Sequence, residues 1–136
     1  MNIQQLSAQL EIDEGKKPRI YIDTVGKITG GIGRNLTDRA FSEDEIQLML
    51  RNDIDMVINQ LDNLFPWWKQ MSDRRQQVLC NMTFNLGITK MAQFKNTLAA
   101  MQTGRYNDAA DGMLASLWAK QGGARAQRLS TMMREG

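Results

Sequence analysis

The chain has 136 residues, 42% hydrophobic and 24% charged, ordinary globular proportions that exclude collagen-like and disordered classes. It contains no histidine and one cysteine, Cys80, which excludes Ser-His-Asp triads, His-ligated metals, an intramolecular disulfide and a CxxC zinc site. Carboxylates are left as the first candidates for acid–base chemistry near neutral pH.

The net charge of +2 averages unlike halves. Residues 1–72 hold 8 Lys and Arg against 11 Asp and Glu, whereas residues 73–136 hold 9 against 4. A basic half suits an anionic partner such as nucleic acid, a membrane surface or bacterial wall, or it is a solvated helical surface. The N-terminal MNIQQLSAQLEIDEGKK lacks the basic start and apolar run of a signal peptide. No window approaches the ~18 apolar residues of a membrane span. Storage in a cytoplasm is the expectation.

Leu6, Leu10 and Ile12 predict a short, weakly amphipathic first helix, stopped by Gly15 and Pro18. From Arg19 to Leu36 the pattern changes to β-branched residues with interspersed glycines. Ile20, Ile22 and Val25, then Ile28 and Ile32, read as short strands turning at Val25-Gly26-Lys27. Ser42 and Glu45 form a capping box. Behind it Ile46, Met49 or Leu50, Ile54, Val57, Leu61 and Leu64 recur with a helical period, ended by Pro66. About 20 residues make that helix roughly 30 Å long. Ser72-Asp73 opens another helix with Val78, Leu79, Met82 and Leu86, stopped by Gly87. Helical segments follow near 90–102, 106–119 and 124–133, punctuated by Gly104 and Gly122-Gly123. The ten methionines read as core filler, as does Trp118. Trp67 and Trp68, directly after Pro66 at a helix start, read as packing residues.

The residues with chemical potential are Glu14 at the end of the first helix, Asp23 on a strand or its turn, and Thr29 on the returning strand. Two carboxylates and a hydroxyl on one surface are the minimum set for hydrolysing a glycosidic bond. Solvated surface charge is the competing reading, and spacing alone does not decide between them.

The run Ile12-Asp13-Glu14-Gly15, Tyr21-Ile22-Asp23-Thr24, Gly26 and Thr29-Gly30-Gly31-Ile32-Gly33 resembles the signature of the phage-type lysozymes, the glycoside hydrolase family that includes the T-even phage endolysins. The similarity extends through Asn81-Met82-Thr83-Phe84-Asn85-Leu86-Gly87, Phe94-Lys95-Asn96-Thr97-Leu98 and Ser116-Leu117-Trp118. The resemblance implies an α+β, predominantly α, two-lobed fold with a small antiparallel sheet lobe and a helical lobe joined by a long helix. It places the sheet lobe at about 14–41, the connecting helix at about 42–64, and the helical lobe at about 65–136 together with the first helix, 1–13, all in one lysozyme domain.

The resemblance also implies an endolysin muramidase that inverts configuration while cutting the β-1,4 bond between N-acetylmuramic acid and N-acetylglucosamine. Glu14 corresponds to the general acid, Asp23 to the carboxylate that activates water, and Thr29 to the hydroxyl assisting it. Inversion requires the carboxyls about 6.5–9.5 Å apart. Phe84, Asn85 and Thr97 match positions that line the saccharide cleft. No metal and no cofactor are expected. The expected partner is the glycan strand of peptidoglycan, with the protein monomeric, released from the host cytoplasm by a holin and acting at the wall in lysis and antibacterial activity. A non-catalytic wall-binding or virion structural module remains an alternative, as does membrane contact through the basic C-terminal helix. Nucleic acid is disfavoured because the basic residues are not interleaved with stacking aromatics.

Three departures from the family stand out. Only Arg34 to Phe41 separate the glycine motif from the long helix, so the sheet lobe is trimmed. Arg34 stands where larger members carry a histidine paired with a remote aspartate, so that pair is expected to be missing. Gly30 replaces an apolar residue and is expected to weaken its strand.

Overall fold

The computed structural model describes residues 1–136 as eight α-helices, a 3-10 turn and one three-stranded antiparallel sheet. The fold is α+β and predominantly helical, as expected. The chain divides into two compact units, Met1–Leu48 and Met49–Gly136. Residues 1–13, expected with the helical lobe, fall in the first unit. The first helix buries none of its residues, and the side chain at its end, Glu14, lies against Gly33 of the same unit.

In the first unit, helix α1 (Ile3–Glu14) starts at Asn2, whose side chain accepts from the Gln5 amide, and ends at Gly15. The sheet follows in the order β1 (Lys17–Ile22), β2 (Ile28–Gly31) and β3 (Arg34–Asn35). Tyr21 pairs with Thr29 and Ile22 with Ile28, while a register irregularity between Lys17 and Tyr21 accommodates Pro18, which has no amide hydrogen to donate. The turn between β1 and β2 closes with the Asp23 amide donating to the Lys27 carbonyl at 2.9 Å. Val25 and Ile32, read as strand residues, lie in turns. The two-residue strand β3 pairs Asn35 with Thr29 and Arg34 with Gly30.

Burial in the sheet runs against simple hydrophobicity. Ile20 and Ile22 are exposed, whereas Thr29 and Gly30 are buried. The gap at Gly30 is occupied by its neighbours, since a Cβ there would meet Leu36 Cδ1 at 3.3 Å and Ile20 Cγ2 at 3.5 Å. Packing lost with the side chain is thereby partly restored by residues from the flanking segments.

Arg34 is not left without a partner. Its guanidinium grips Glu45 in a two-pronged ion pair, Nη2 donating to Oε1 at 2.7 Å and Nη1 donating to Oε2. Glu45 lies in the first turn of α2 (Glu43–Leu64) and its Oε1 also accepts from the Ser42 amide at 2.7 Å, completing the capping box. The Arg34 guanidinium lies 5.7 Å from the Phe41 ring, within cation–π range. Arg34 therefore pairs with a carboxylate 11 residues away in sequence.

The second unit holds the hydrophobic core. In α2 only Val57 and Leu61 are buried, while Ile46, Met49, Leu50 and Ile54 on the same stripe remain exposed. After the 3-10 turn Pro66–Gln70, α3 (Asp73–Leu86) begins at the Ser72 cap. The expected helix over 90–102 is two, α4 (Ile88–Met91) and α5 (Lys95–Gln102), divided at Ala92–Phe94. The segment 106–119 is also two, α6 (Tyr106–Leu114) and α7 (Leu117–Gly122), because the Ser116 hydroxyl caps a new helix by accepting from the Ala119 amide. Helix α8 (Ala124–Glu135) closes the unit.

Methionine does fill this core. Met71, Met82, Met91, Met101, Met113 and Met133 are buried among Val78, Leu79, Leu98 and Leu129. Trp68 is buried with its indole N–H donating to Asp62 Oδ1 at 2.8 Å, and Trp67 packs at the core's margin beside Phe65. Arg75 secures the C-terminal helix, donating to the Met133 and Arg134 carbonyls while its guanidinium lies 3.6 Å from the Tyr106 ring centre. No helix is long and apolar enough to cross a membrane.

Two predictions follow from these contacts. The Arg34 ion pair and hydrogen bonds from Ser42 hold the Glu45 carboxyl down at about 2, below its ordinary 4.5. A depressed carboxyl stabilises the fold fully above its ordinary value and loses that contribution as pH falls toward the folded value. Glu45→Gln should therefore lower the urea midpoint at pH 7, and the gap from wild type should shrink as pH drops from 4.5 toward about 2. In the core, Leu79→Ala removes a side chain with no exposed surface and should cost about 2–5 kcal/mol in the same denaturation assay.

Candidate active site

All three residues singled out for chemistry lie in the first unit. Asp23 directly follows β1 and organises the turn to β2. Its Oδ1 accepts from the Val25 amide at 3.0 Å and the Lys27 amide at 2.8 Å, the side-chain-to-backbone pattern that makes aspartate a turn former. Those two bonds fix the plane of the carboxylate and leave Oδ2 outside them. Thr29, buried on β2, donates its hydroxyl hydrogen to the Lys27 carbonyl at 3.1 Å. The lone pairs of Thr29 Oγ1 are then the part of the hydroxyl left to accept.

Asp23 and Thr29 thus bind the two ends of one residue's backbone. Lys27 donates its amide hydrogen to the carboxylate and offers its carbonyl to the hydroxyl. The Lys27 side chain turns to Asp38, at 3.0 Å. Nothing in the sequence pattern marked Lys27, although an aspartate three residues before Gly26 is a turn signature that could have found it.

Glu14 is the last residue of α1, with an exposed side chain. It lies against Gly33, in the two-residue turn from β2 to β3. A Cβ placed on Gly33 would stand 2.6 Å from Glu14 Oε2 and 2.9 Å from Glu14 Cβ. Gly33 also has φ of 64°, in the left-handed region where a side chain is disfavoured. Both requirements select glycine. Glu14 therefore rests on the turn whose preceding strand carries Thr29.

Phe84, Asn85 and Thr97 lie in the second unit. Phe84 is 45% exposed and borders a largely apolar groove of about 490 Å³ with Leu50, Ile54 and Cys80. Asn85 accepts from the Trp118 indole N–H through Oδ1 at 2.9 Å, so its amide NH₂ is left to donate. It borders a hollow of about 420 Å³ with Lys90, Gln121 and Arg125. Thr97 is largely buried at 6% exposure, with its hydroxyl against Gly112 of α6. Phe84 and Asn85 offer surface to a ligand, whereas Thr97 chiefly fills a helix–helix contact.

No group of three or more His, Cys, Asp or Glu side chains is placed to hold a metal ion. Burial, reinforced by the charge of Asp62, pushes the Cys80 thiol up to about 11. A thiol so raised is a small apolar side chain rather than a nucleophile.

A family model for phage lysozyme matches residues 11–134. The chain belongs to the phage lysozyme family. It is a glycoside hydrolase of the lysozyme type, and the family's substrate is peptidoglycan. The chain is similar to the probable T4-type lysozyme 2 of Dictyostelium discoideum, 24% identical with 98% of this chain and 96% of the relative covered. It is 28% identical to part of the pre-baseplate central spike protein Gp5 of Enterobacteria phage T4, with 96% of this chain but 28% of that protein covered. The alignment to the amoebal protein runs over 163 residues, so that relative carries residues which this shorter lysozyme lacks.

Gly33→Ala provides a direct test of the contact with Glu14. The new methyl group displaces the Glu14 side chain, and displacement of about 1 Å is worth about 100-fold in rate. With Glu14 as a reacting group, peptidoglycan turnover should fall by about that factor, while circular dichroism retains the native helical signal.

Proposed function

We propose that this lysozyme cleaves the β-1,4 bond between N-acetylmuramic acid and N-acetylglucosamine with inversion, using Glu14 as general acid, Asp23 as the base that activates water, and Thr29 as its assistant. The observation that carries this reading is the shared anchorage of Asp23 and Thr29 on Lys27. Asp23 keeps one oxygen outside its turn bonds, ready to take a proton from water. Thr29 has already committed its own hydrogen, so it accepts one from the same water.

In the reaction, the Glu14 carboxyl gives its proton to the glycosidic oxygen as the bond to the anomeric carbon breaks. Water attacks that carbon from the opposite face and passes a proton to Asp23. The charge balance closes when Glu14 regains a proton from solvent and Asp23 releases one. In the second unit, Phe84 offers an apolar face for a sugar ring and Asn85 a free NH₂ for an acetamido carbonyl. Thr97 serves the unit by packing α5 against Gly112 of α6.

The biological reading is lysis of a host cell by a monomeric endolysin. The protein is held in the host cytoplasm, released to the wall with the help of a holin, and organised as one lysozyme domain over residues 1–136. Membrane contact through α8 is not part of this reading. Its apolar residues Ala126, Leu129 and Met133 are buried in the protein core, so the face that would enter a membrane is already used. The similarity to a spike protein supports a second reading, wall digestion by a virion-borne lysozyme. Presence of the protein in purified particles would favour that reading over release from a lysing cell.

The test combines product chemistry with two variants. Mass spectrometry and NMR of digested peptidoglycan should find new reducing ends at muramic acid as the α-anomer. Glu14→Gln and Asp23→Asn should each lower turnover by about 10²–10⁴-fold, with little change in the urea midpoint. Asparagine retains the Oδ1 acceptor on which the turn depends, so that variant isolates the chemistry. Reducing ends at glucosamine, or full activity in Glu14→Gln, would overturn the assignment.

A further inference from the structure

We propose that the Arg34–Glu45 ion pair is a positioning device for Glu14, pinning the Gly33 turn on which the acid rests to the first turn of α2. The inference rests on the reading of Glu14 as the general acid and adds residues that the reaction itself does not use.

Within the first unit, no ion pair holds the Glu14 carboxylate, and its close neighbour is the bare backbone of Gly33. The position of the acid therefore depends on the position of that turn. The turn is weakly held by its own backbone. It links β2 to a strand of two residues at the edge of the sheet, with Thr29 opposite Asn35 and Gly30 opposite Arg34, followed by a Leu36 amide bond to the Ile28 carbonyl. Three glycines lie in the five residues 29–33, and glycine brings both backbone freedom and an absence of side-chain packing. A hairpin of this kind needs an outside anchor.

Arg34 supplies one. It is covalently next to Gly33, and its side chain is 17% exposed, so its charge is only partly screened by water. The two-pronged geometry fixes direction as well as distance. At the far end, Glu45 is itself immobilised, because its Oε1 also accepts from the Ser42 amide. The Arg34 Nε is buried without a partner. The guanidinium is thus oriented toward Glu45, with both terminal nitrogens committed to that carboxylate. Farther along, Asn35 Oδ1 accepts from the Thr37 and Asp38 amides, so the chain leaving the clamp is held as well. The low value of the Glu45 carboxyl, about 2, keeps the pair ionised through neutral and mildly acidic conditions.

The experiment measures kcat and KM separately on soluble, uncross-linked glycan strands for Arg34→Met, Glu45→Gln, the double variant, Arg34→Lys and Ser42→Ala. Urea melts establish the folded fraction of each at the assay temperature. Arg34→Met and Glu45→Gln should each lower kcat by about 10-fold, in line with a sub-ångström shift of the acid, and leave KM within about 2-fold. The double variant should be no worse than either single one, as for two partners of one interaction. Arg34→Lys should recover part of the loss. Ser42→Ala weakens the helix cap through its lost hydroxyl but keeps the backbone donor to Glu45, so it should lower stability and spare kcat. Unchanged kcat in the folded single variants would overturn the proposal, as would a loss confined to KM or one equal to the unfolded fraction. Glu14→Gln is assayed alongside. If that variant is active, the reading of Glu14 fails; if it is inactive while Arg34→Met is unimpaired, only the positioning role fails.

Discussion

The first unit is organised around the close approach of Glu14 to the backbone of Gly33. That approach leaves no room for a Cβ at position 33, so the residue of the turn against Glu14 must be glycine and brings no side chain of its own to hold it there. Its rigidity has to come from elsewhere. Asp23 folds the neighbouring hairpin through two backbone amides, Thr29 is drawn to the same backbone, and Arg34 ties the strand after Gly33 to α2. Each is a polar contact made by a side chain next to the bare region, and together they replace the hydrophobic packing that a glycine-rich hairpin lacks.

The second unit follows a different physical rule. Its six buried methionines fill gaps between short helices whose ends are set by Ser72, Ser116 and Gly123. Unbranched thioether side chains suit such irregular junctions because they adapt to the space available. The excess positive charge of this half is also less free than its sum implies. Arg75 binds the carbonyls at the end of α8, Arg125 donates to Asn81, and Arg134 pairs with Asp111. Several of the arginines that suit an anionic polymer in composition are therefore structural fasteners. Lys90 and Lys95 make none of the unit's ion pairs.

Features with a local physical cause were legible in the sequence. The capping box of Ser42 and Glu45, the Ser72 cap, the helix stop at Gly87 and the turn after Asp23 each depend on residues within four positions of one another. The break at Ala92–Phe94 was hidden because Met91 and Phe94 continue an apolar helical rhythm across it. The exposure of Ile20 and Ile22 was hidden for another reason: alternation predicts that a strand has two faces but not which one is covered. The pairing of Arg34 with Glu45 joins a strand to a helix across a chain reversal, and no periodicity encodes such a contact. Among the candidate site residues, Glu14, Asp23 and Thr29 came from a motif. Lys27 carries no motif of its own, because it contributes through backbone groups that every residue other than proline carries, and only the turn signature of Asp23 and Gly26 points to it.

The short connection from Arg34 to Phe41 links these observations. A longer segment there could cover the sheet and steady the hairpin by burial. In this chain Ile20 and Phe41 remain substantially exposed and a groove of about 260 Å³ borders Gly30, Ile20, Leu36 and Arg34. The hydrophobic effect scales with apolar area removed from water, so a sheet left open in this way gains little from it. A directional ion pair answers a different need, because it costs few residues and fixes geometry more than it adds stability. The open side of this sheet is accompanied by a clamp rather than by burial. The arginine at position 34 is the side chain that ties the glycine-rich hairpin to α2.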